Sequence, residues 1–182
     1  MAQKNSDPIV ELPAAQALIE AVGIEQLADV LKAAGYRVSM AEQGGTVQLM
    51  SASQGMGFAV RFGNAATQSG SPATGVPVRY LDYTFSCLLQ VQGDLPEELV
   101  AGWNRSKRFA RLASHGPFLA LEMDIVVAGV SERYLRATIE LWDRLLQEFL
   151  LHLRNRPAMA ATAAEGAAMA AAQAGHAKAV GQ

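Results

Sequence analysis

Cysteine, aromatic residues and long apolar runs are scarce in this chain, and neither sign of charge is in large excess. The single cysteine, Cys87, excludes an internal disulfide and fits a reducing compartment. No apolar run approaches the roughly 18 residues that a membrane span needs. No apolar core of a signal peptide is found in the first residues, MAQKNSDPIVELP. We therefore expect a soluble, cytoplasmic protein with no membrane partner.

The charge balance argues against nucleic acid as a general partner. The 182 residues contain 15 Lys and Arg against 17 Asp and Glu, which gives a net charge of −2. A domain that binds phosphates usually carries a clear positive excess. The most basic stretch, Arg105 to Arg111, could contact nucleic acid or an acidic partner. More often such a stretch is a solvated edge that pairs with nearby acids.

Residues that could carry chemistry are present, but the sequence does not group them into a reaction centre. His115, His152 and His176 have no cysteine or carboxylate at metal-ligand spacing. Glu122 and Asp124 share one face of a predicted strand, and a solvent-facing position explains them better than acid–base catalysis. We therefore predict no catalytic residue, no metal and no cofactor.

Apolar residues alternate with polar ones through the middle of the chain, which indicates antiparallel β-structure. Three short strands joined by glycine turns occupy about residues 36–62, and a longer strand spans Val78–Val91. Between these two regions lies a loop over residues 64–77 that is rich in Gly, Ser, Thr and Pro. Such a loop is longer than most connections within a domain.

A hairpin is predicted at the end of the β-rich region. A turn centred on His115-Gly116 would place Leu112 opposite Leu119 and Arg111 diagonal to Glu122. The charges on the hairpin would then satisfy each other.

Helices are predicted on both sides of the β-rich region. A short helix would begin near Pro13 and carry Leu18, Ile19 and Val22. Apolar residues recur from Ile24 to Leu31 at helical spacing, and Gly35 follows as a C-terminal cap. A further helix opens near Pro96. Ser131 is a good N-cap for the final helix, which runs to about Arg154.

The final helix carries a row of large apolar residues spaced alternately by four and three. The same spacing serves a helix that covers a sheet and a helix that packs on a second copy of itself. Burial within one subunit and partial burial across a homodimer therefore both stay open. Together with the preceding tryptophan and arginines, the row gives these partner-binding or dimer candidates: Trp103, Arg105, Arg108, Arg111, Leu135, Ile139, Trp142, Leu146 and Phe149.

Several short motifs follow one another along the chain in a specific order. They are Gly35-Tyr36, Phe58 with Val60, Tyr83 with Phe85, Trp103-Asn104, Arg108-Phe109, Leu121 to Asp124, Gly129-Val130-Ser131, Leu141-Trp142 and Phe149. In this order they resemble the YbjN-type family, a bacterial family associated with sensory transduction and regulatory phenotypes. The most specific part is the WN and RF block, followed by GVS and LW.

The resemblance implies an α+β fold similar to type III secretion chaperones, often dimeric, in which an antiparallel β-sheet packs against helices. It covers a domain over residues 24–154 that ends in the long helix. Residues 1–23 form an N-terminal extension. Residues 155–182 form an alanine-rich tail of low complexity, which we expect to be disordered because it has no apolar stripe wide enough to pack. The resemblance supplies no enzymatic residues.

Three functions follow as hypotheses. The leading one is a non-enzymatic regulatory or chaperone-like module that binds another protein. The second is a small-ligand sensor or enzyme with a pocket near loop 64–77, contacted by Arg79, Arg108 or Glu122. The third is a nucleic-acid-associated regulator that uses the cluster from Arg105 to Arg111. The sequence does not identify the partner.

Overall fold

A computed structural model describes residues 17–66, 77–91 and 97–155 of the chain. Within these ranges three helices and eight strands confirm the predicted α+β class. In chain order they are β1 Val22–Gly23, α1 Ile24–Ala33, β2 Ser39–Gln43, β3 Thr46–Ser53, β4 Met56–Phe62, β5 Arg79–Tyr80, β6 Asp82–Gln90, α2 Glu97–Ser106, β7 Arg111–His115, β8 Phe118–Val126 and α3 Glu132–Arg154.

Six strands form one antiparallel sheet in the order β2-β3-β4-β6-β8-β7, and β1 pairs with β5 in a small separate sheet. Because side chains alternate between the two faces of a strand, each register row puts like residues side by side. One such row crosses four strands at Leu49, Val60, Phe85 and Met123. All four are buried and belong to a core that buried residues of all three helices complete.

Two tight turns connect β2, β3 and β4. Gly44 and Gly45 both have positive φ between β2 and β3, as do Gln54 and Gly55 between β3 and β4. Two-residue turns with positive φ at both central positions match the twist of antiparallel strands. The short glycine-turn meander predicted from the sequence is confirmed.

The hairpin of β7 and β8 has a different register from the predicted one. His115 pairs with Phe118, so the turn is Gly116-Pro117, and Leu112 faces Leu121 rather than Leu119. Gly116 has a φ of +56°, which a two-residue hairpin turn accommodates at its first central position. The predicted register was therefore wrong by two residues. The position of the turn sets which residues face each other, and the turn lies one residue later than predicted.

The short helix predicted after Pro13 is wrong for the part of it that the structure describes. Ile19 forms an antiparallel bridge with Val130, and β1 pairs with β5 through Val22 and Tyr80. These backbone partners lie far along the chain, and such tertiary pairing overrides a weak local pattern. Pro13 lies outside the described residues, as do most of loop 64–77 and all but the first residue of the predicted tail.

The single strand predicted over Val78–Val91 is divided at Leu81. The Leu81 N–H donates to the carbonyl of Asn64 at 2.8 Å, and its carbonyl accepts from the Val127 N–H at 2.8 Å. β5 therefore leaves the direction of β6 and pairs with β1. Nothing in the alternating pattern distinguishes such a break from a continuous strand.

Helix α3 begins and ends as predicted. The Ser131 side chain accepts a hydrogen bond from the Tyr134 N–H at 3.3 Å, and the helix ends at Arg154. Its apolar row lies on the sheet: the ring of Trp142 stacks on Phe85 with centroids 5.3 Å apart. The row is buried within this one chain, at no more than 1% exposure for Leu135, Ile139, Trp142, Leu146 and Phe149. A homodimer stays a prediction, and it would have to form through other residues of the folded chain.

The burial of this row leads to a first prediction. We expect Phe149→Glu to abolish cooperative folding, because it buries a carboxylate against Trp103 in the apolar core. The cost is comparable with the entire stability of a domain of this size, about 5–15 kcal/mol. Thermal unfolding followed by circular dichroism measures it. Leu151→Glu is the control, since Leu151 lies on the same helix but is 55% exposed. A Phe149→Glu variant as stable as the wild type would contradict the assignment.

Candidate functional site

The sheet has one face that no helix covers within the described ranges, since the buried residues of all three helices join the core on the other side. We call this uncovered side the open face. It carries a groove of about 630 Å³ whose lining comes mostly from β3, β4, β6 and β8, with one residue each from the edge strands β2 and β7. The lining includes Met50, Ala59, Arg61, Leu88, Phe118 and Glu122.

Small side chains form the floor of the groove. Ala59 pairs with Ser86, and Gly57 lies two residues before Ala59 on the same strand. Because their side chains are short, a depression remains between the longer residues on either side. Leu88 and Phe118 stand at the depression with 60% and 40% of their surface exposed. The open face therefore combines a shallow floor with exposed apolar side chains.

An ion-pair network lies beside the groove. Glu122 accepts hydrogen bonds from Arg61 and, at 2.9 Å, from Arg111, and only 9% of Glu122 is exposed. Asp124 accepts from Arg111 and from the Thr84 hydroxyl, the latter at 2.6 Å. Two arginines thus face two carboxylates, and the network is electrically balanced. The predicted mutual pairing of the hairpin charges is confirmed.

Arg61 is a member of this network that the sequence did not suggest. It lies on β4, whereas Glu122 lies on β8, and β6 runs between these strands. The contact depends on the strand order, which no local pattern encodes. In the register Arg61 lies opposite Thr84 and Glu122 opposite Ser86, so the long Arg61 side chain crosses β6 diagonally to reach Glu122.

Hydrogen bonding sets the protonation of the network. Burial would raise the pKa of Asp124, but the hydrogen bonds from Arg111 and Thr84 favour its charged form and hold its pKa below the usual value. The same hydrogen bond to Asp124 raises the pKa of Arg111. The ion pair of Asp124 and Arg111 therefore stays charged at neutral pH.

The Trp103-Asn104 motif joins α2 to the edge strand β7. The Trp103 indole N–H donates to the Ala110 carbonyl at 3.0 Å. The Asn104 amide donates to the Leu112 carbonyl and accepts from the Leu112 N–H, both at 2.9 Å. One side-chain amide thus occupies both outward backbone groups of Leu112, as a neighbouring strand would. Trp103, predicted as a partner contact, is 0% exposed and packs on Phe149.

The predicted basic cluster is mostly paired. Arg105 forms an ion pair with Glu98 of its own helix, and Lys107 pairs with Glu148 of α3 at 2.7 Å. Arg111 belongs to the open-face network. Arg108 differs, since its guanidinium lies 5.2 Å from the centre of the Phe109 ring. The cluster is therefore a paired edge rather than a patch of free positive charge.

The structure does not bring the predicted pocket contacts together. Arg79 donates to the Ala21 carbonyl at 2.6 Å and to the Gln26 side chain at 3.0 Å. Arg79 and Glu122 line different cavities, one beside α1 and the other on the open face. Most of loop 64–77 lies outside the described residues.

A polar cluster that the sequence did not predict ties the β3–β4 turn to α3. Asp143 accepts hydrogen bonds from Ser53 and, at 3.4 Å, from the Gln54 amide. Burial, assisted by the charge of Asp143, raises the pKa of the neighbouring Tyr36. Because about 90 residues separate the partners, only the fold reveals the cluster. Its bonds are internal, which gives it a structural role.

Cys87 lies on the core face of β6 and is buried. Burial raises the pKa of its thiol to about 11, so the residue is protonated at neutral pH. Elsewhere in the described ranges, no three His, Cys, Asp or Glu side chains are grouped to hold a metal ion. None of the helices in those ranges is both long and apolar enough to cross a membrane.

Together the fold and the open face define a class: an α+β domain with a sheet that is packed on one side and accessible on the other. The chain matches the family model of YbjN, described as "putative bacterial sensory transduction regulator", over residues 23–155. Because this match covers more than half of the sequence, the chain belongs to the YbjN family. No curated protein and no solved structure matches it.

The bond between Asn104 and β7 gives a second prediction. Asn104→Ala should lower the free energy of unfolding by about 1–2 kcal/mol, since two hydrogen bonds to Leu112 are lost. Urea denaturation measures the change. Asn104→Asp is the matched comparison: it can still accept from the Leu112 N–H, but its second carboxylate oxygen repels the Leu112 carbonyl, so it should not restore wild-type stability. Wild-type stability in the alanine variant would contradict this role.

The lowered pKa of Asp124 gives a third prediction. Its charge stabilises the folded chain fully above the ordinary aspartate pKa of about 3.9, and this stabilisation is lost as pH falls through the lower folded-state value. Wild type should therefore exceed Asp124→Asn in unfolding free energy at pH 7, with the difference shrinking near pH 3. Denaturant titrations across this range test it, with the exposed Asp29→Asn as control. A difference that is independent of pH would refute the role of the charge.

Proposed function

We propose that the chain is a non-enzymatic regulatory module, or a chaperone-like one, that binds another protein through the open face. Membership of a family described as a sensory transduction regulator supports a regulatory role. The observation that carries the proposal is the groove of about 630 Å³, at which Leu88 and Phe118 stay exposed although the core is completed on the opposite face. Apolar side chains gathered at a groove typically mark an interaction site.

The position of the groove favours a helix as the bound element. Most of the groove lining lies on β3, β4, β6 and β8, whose backbones are paired on both sides within the sheet, while the edge strands β2 and β7 contribute one residue each. An added strand needs an open edge, and the middle of the sheet has none. A partner must therefore dock through side chains. An amphipathic helix can place its apolar stripe over the small residues of the floor.

The balanced charges of the ion-pair network predict which kind of contact supplies the affinity for a partner. Arg61 and Arg111 are neutralised by Glu122 and Asp124, so these four side chains together offer little attraction to an oppositely charged partner. Apolar contact should then supply the affinity. Binding driven in this way depends little on ionic strength, whereas binding to nucleic acid weakens steeply as salt rises.

The other two hypotheses have less support. The nucleic-acid hypothesis requires available cations, but Arg105, Lys107 and Arg111 are paired with acids. The small-ligand hypothesis names Arg79 and Glu122 as contacts of one pocket, but these residues line separate cavities. A homodimer is a separate prediction, which light scattering at several concentrations can check.

A fourth prediction concerns Leu88. With the source organism's lysate, we expect the tagged wild-type chain to capture a specific protein that Leu88→Glu does not, because a charge would have to be buried at the groove. With the purified partner, Leu88→Glu should weaken binding at least tenfold, about 1.4 kcal/mol. The wild-type Kd should change less than about threefold between 50 and 500 mM salt. Isothermal titration calorimetry provides both values.

Leu151→Glu provides the matched control, because Leu151 has a similar exposure to Leu88, 55% against 60%, but lies on α3. It should bind like the wild type. Equal binding by Leu88→Glu and wild type would exclude the open face as the docking site. A steep fall in affinity with salt would instead point to a charged partner.

A further inference from the structure

Phe109 combines two unfavourable features on the connection between α2 and β7. Its backbone has a φ of +73°, in the left-handed region that bulky residues rarely adopt. Its side chain is 66% exposed, the largest exposed fraction among the large apolar residues of the described ranges. A non-glycine residue in this region costs of order 1 kcal/mol or more. Glycine would fit the same backbone without strain and would expose no aromatic ring.

The fold does not use the Phe109 side chain. The residues on either side of it hold the connection: the Lys107 N–H donates to the Trp103 carbonyl at 2.8 Å, and the Ala110 carbonyl accepts from the Trp103 indole at 3.0 Å. Phe109 is absent from the hydrophobic core and from the partly buried residues packed against it. Packing in the core therefore does not explain why a phenylalanine occupies this strained and exposed position.

Arg108 gives the exposed ring a charged neighbour. Its guanidinium carbon lies 5.2 Å from the centre of the Phe109 ring, within the range of a cation–π contact. Among the described residues Arg108 forms no ion pair, whereas Arg105, Lys107 and Arg111 each do. The contact holds the two side chains side by side, so an unneutralised cation accompanies an exposed aromatic ring.

We propose that Phe109 and Arg108 form an anchor that inserts into an apolar pocket on another protein, with a carboxylate at the rim of that pocket. The ring would fill the pocket, and the guanidinium would bond to the carboxylate. Aromatic and arginine side chains that contribute most to protein interfaces work in this way. The anchor lies outside the lining of the open-face groove and does not depend on that groove being a docking site.

Stability measurements separate this role from a structural one. Phe109→Ala removes the ring but keeps the strain of the left-handed backbone, whereas Phe109→Gly removes both the ring and the strain. We expect the alanine variant to melt within about 2 °C of the wild type, and the glycine variant to melt a few degrees above the alanine variant because strain is relieved. A large fall in melting temperature for both variants would show that the ring supports the fold and would overturn the proposal.

The binding test uses the full chain with a photoreactive benzophenone analogue of phenylalanine at position 109. We expect it to cross-link one specific protein in the source organism, and the same analogue at position 151 on α3 not to do so. With that protein purified, Phe109→Gly should bind at least tenfold more weakly, and Arg108→Gln several-fold more weakly with a reduced dependence on salt. The same cross-linked proteins at both positions, or wild-type affinity of Phe109→Gly, would overturn the anchor. Neither result bears on Leu88 and the open face.

Discussion

The contact between Trp142 and the sheet is the interaction on which the other features depend. The indole stacks on Phe85 at a centroid distance of 5.3 Å and meets the edge of Phe58 at 5.8 Å. Within the described residues the indole N–H has no hydrogen-bond partner, which costs free energy in a buried site. The area of aromatic contact offsets that cost. Once α3 is placed here, one face of the sheet is covered, and the other is the face left for a partner.

One face of the sheet therefore contributes to stability, and the other is the face that we propose for recognition. Phe85 and its register neighbours form the core, while Ser86, which follows Phe85, and Glu122, which precedes Met123, point to the open face. Burial of Glu122 is tolerated because Arg61 and Arg111 both bond to it. This bonding fixes the charged groups at one side of the groove and leaves small and apolar side chains at the other. The result is a rigid, electrically balanced surface.

Helix α2 covers backbone groups at the edge of the sheet, as α3 covers one of its faces. Asn104 occupies the outward backbone groups of Leu112, and Trp103 anchors the helix in the core. At Leu112 the edge strand therefore does not offer its backbone groups to other chains. The same connection presents Phe109 and Arg108 to solvent. The Trp103-Asn104 motif thus covers backbone groups of the edge strand. The Arg108-Phe109 motif, a few residues further on, stays exposed.

The sequence by itself determined the elements whose signals are local. Alternation of apolar residues located the strands, glycines located the turns of the meander, and Ser131 marked the start of α3, because each depends on residues within a few positions. The order of the motifs also identified the family. The sequence did not determine the register of the β7–β8 hairpin, the break at Leu81 or the course of residues 18–23.

Those features depend on partners far along the chain. Tertiary structure alone placed Arg61 beside Glu122, because a third strand separates the two, and it alone showed that the apolar row of α3 is core. Helical spacing is the same whether a helix covers its own sheet or a second copy. The backbone strain at Phe109 is likewise invisible in the sequence, since the residue type gives no indication of a left-handed φ. Local chemistry thus determined the elements, and long-range packing decided which of their faces remain free to bind.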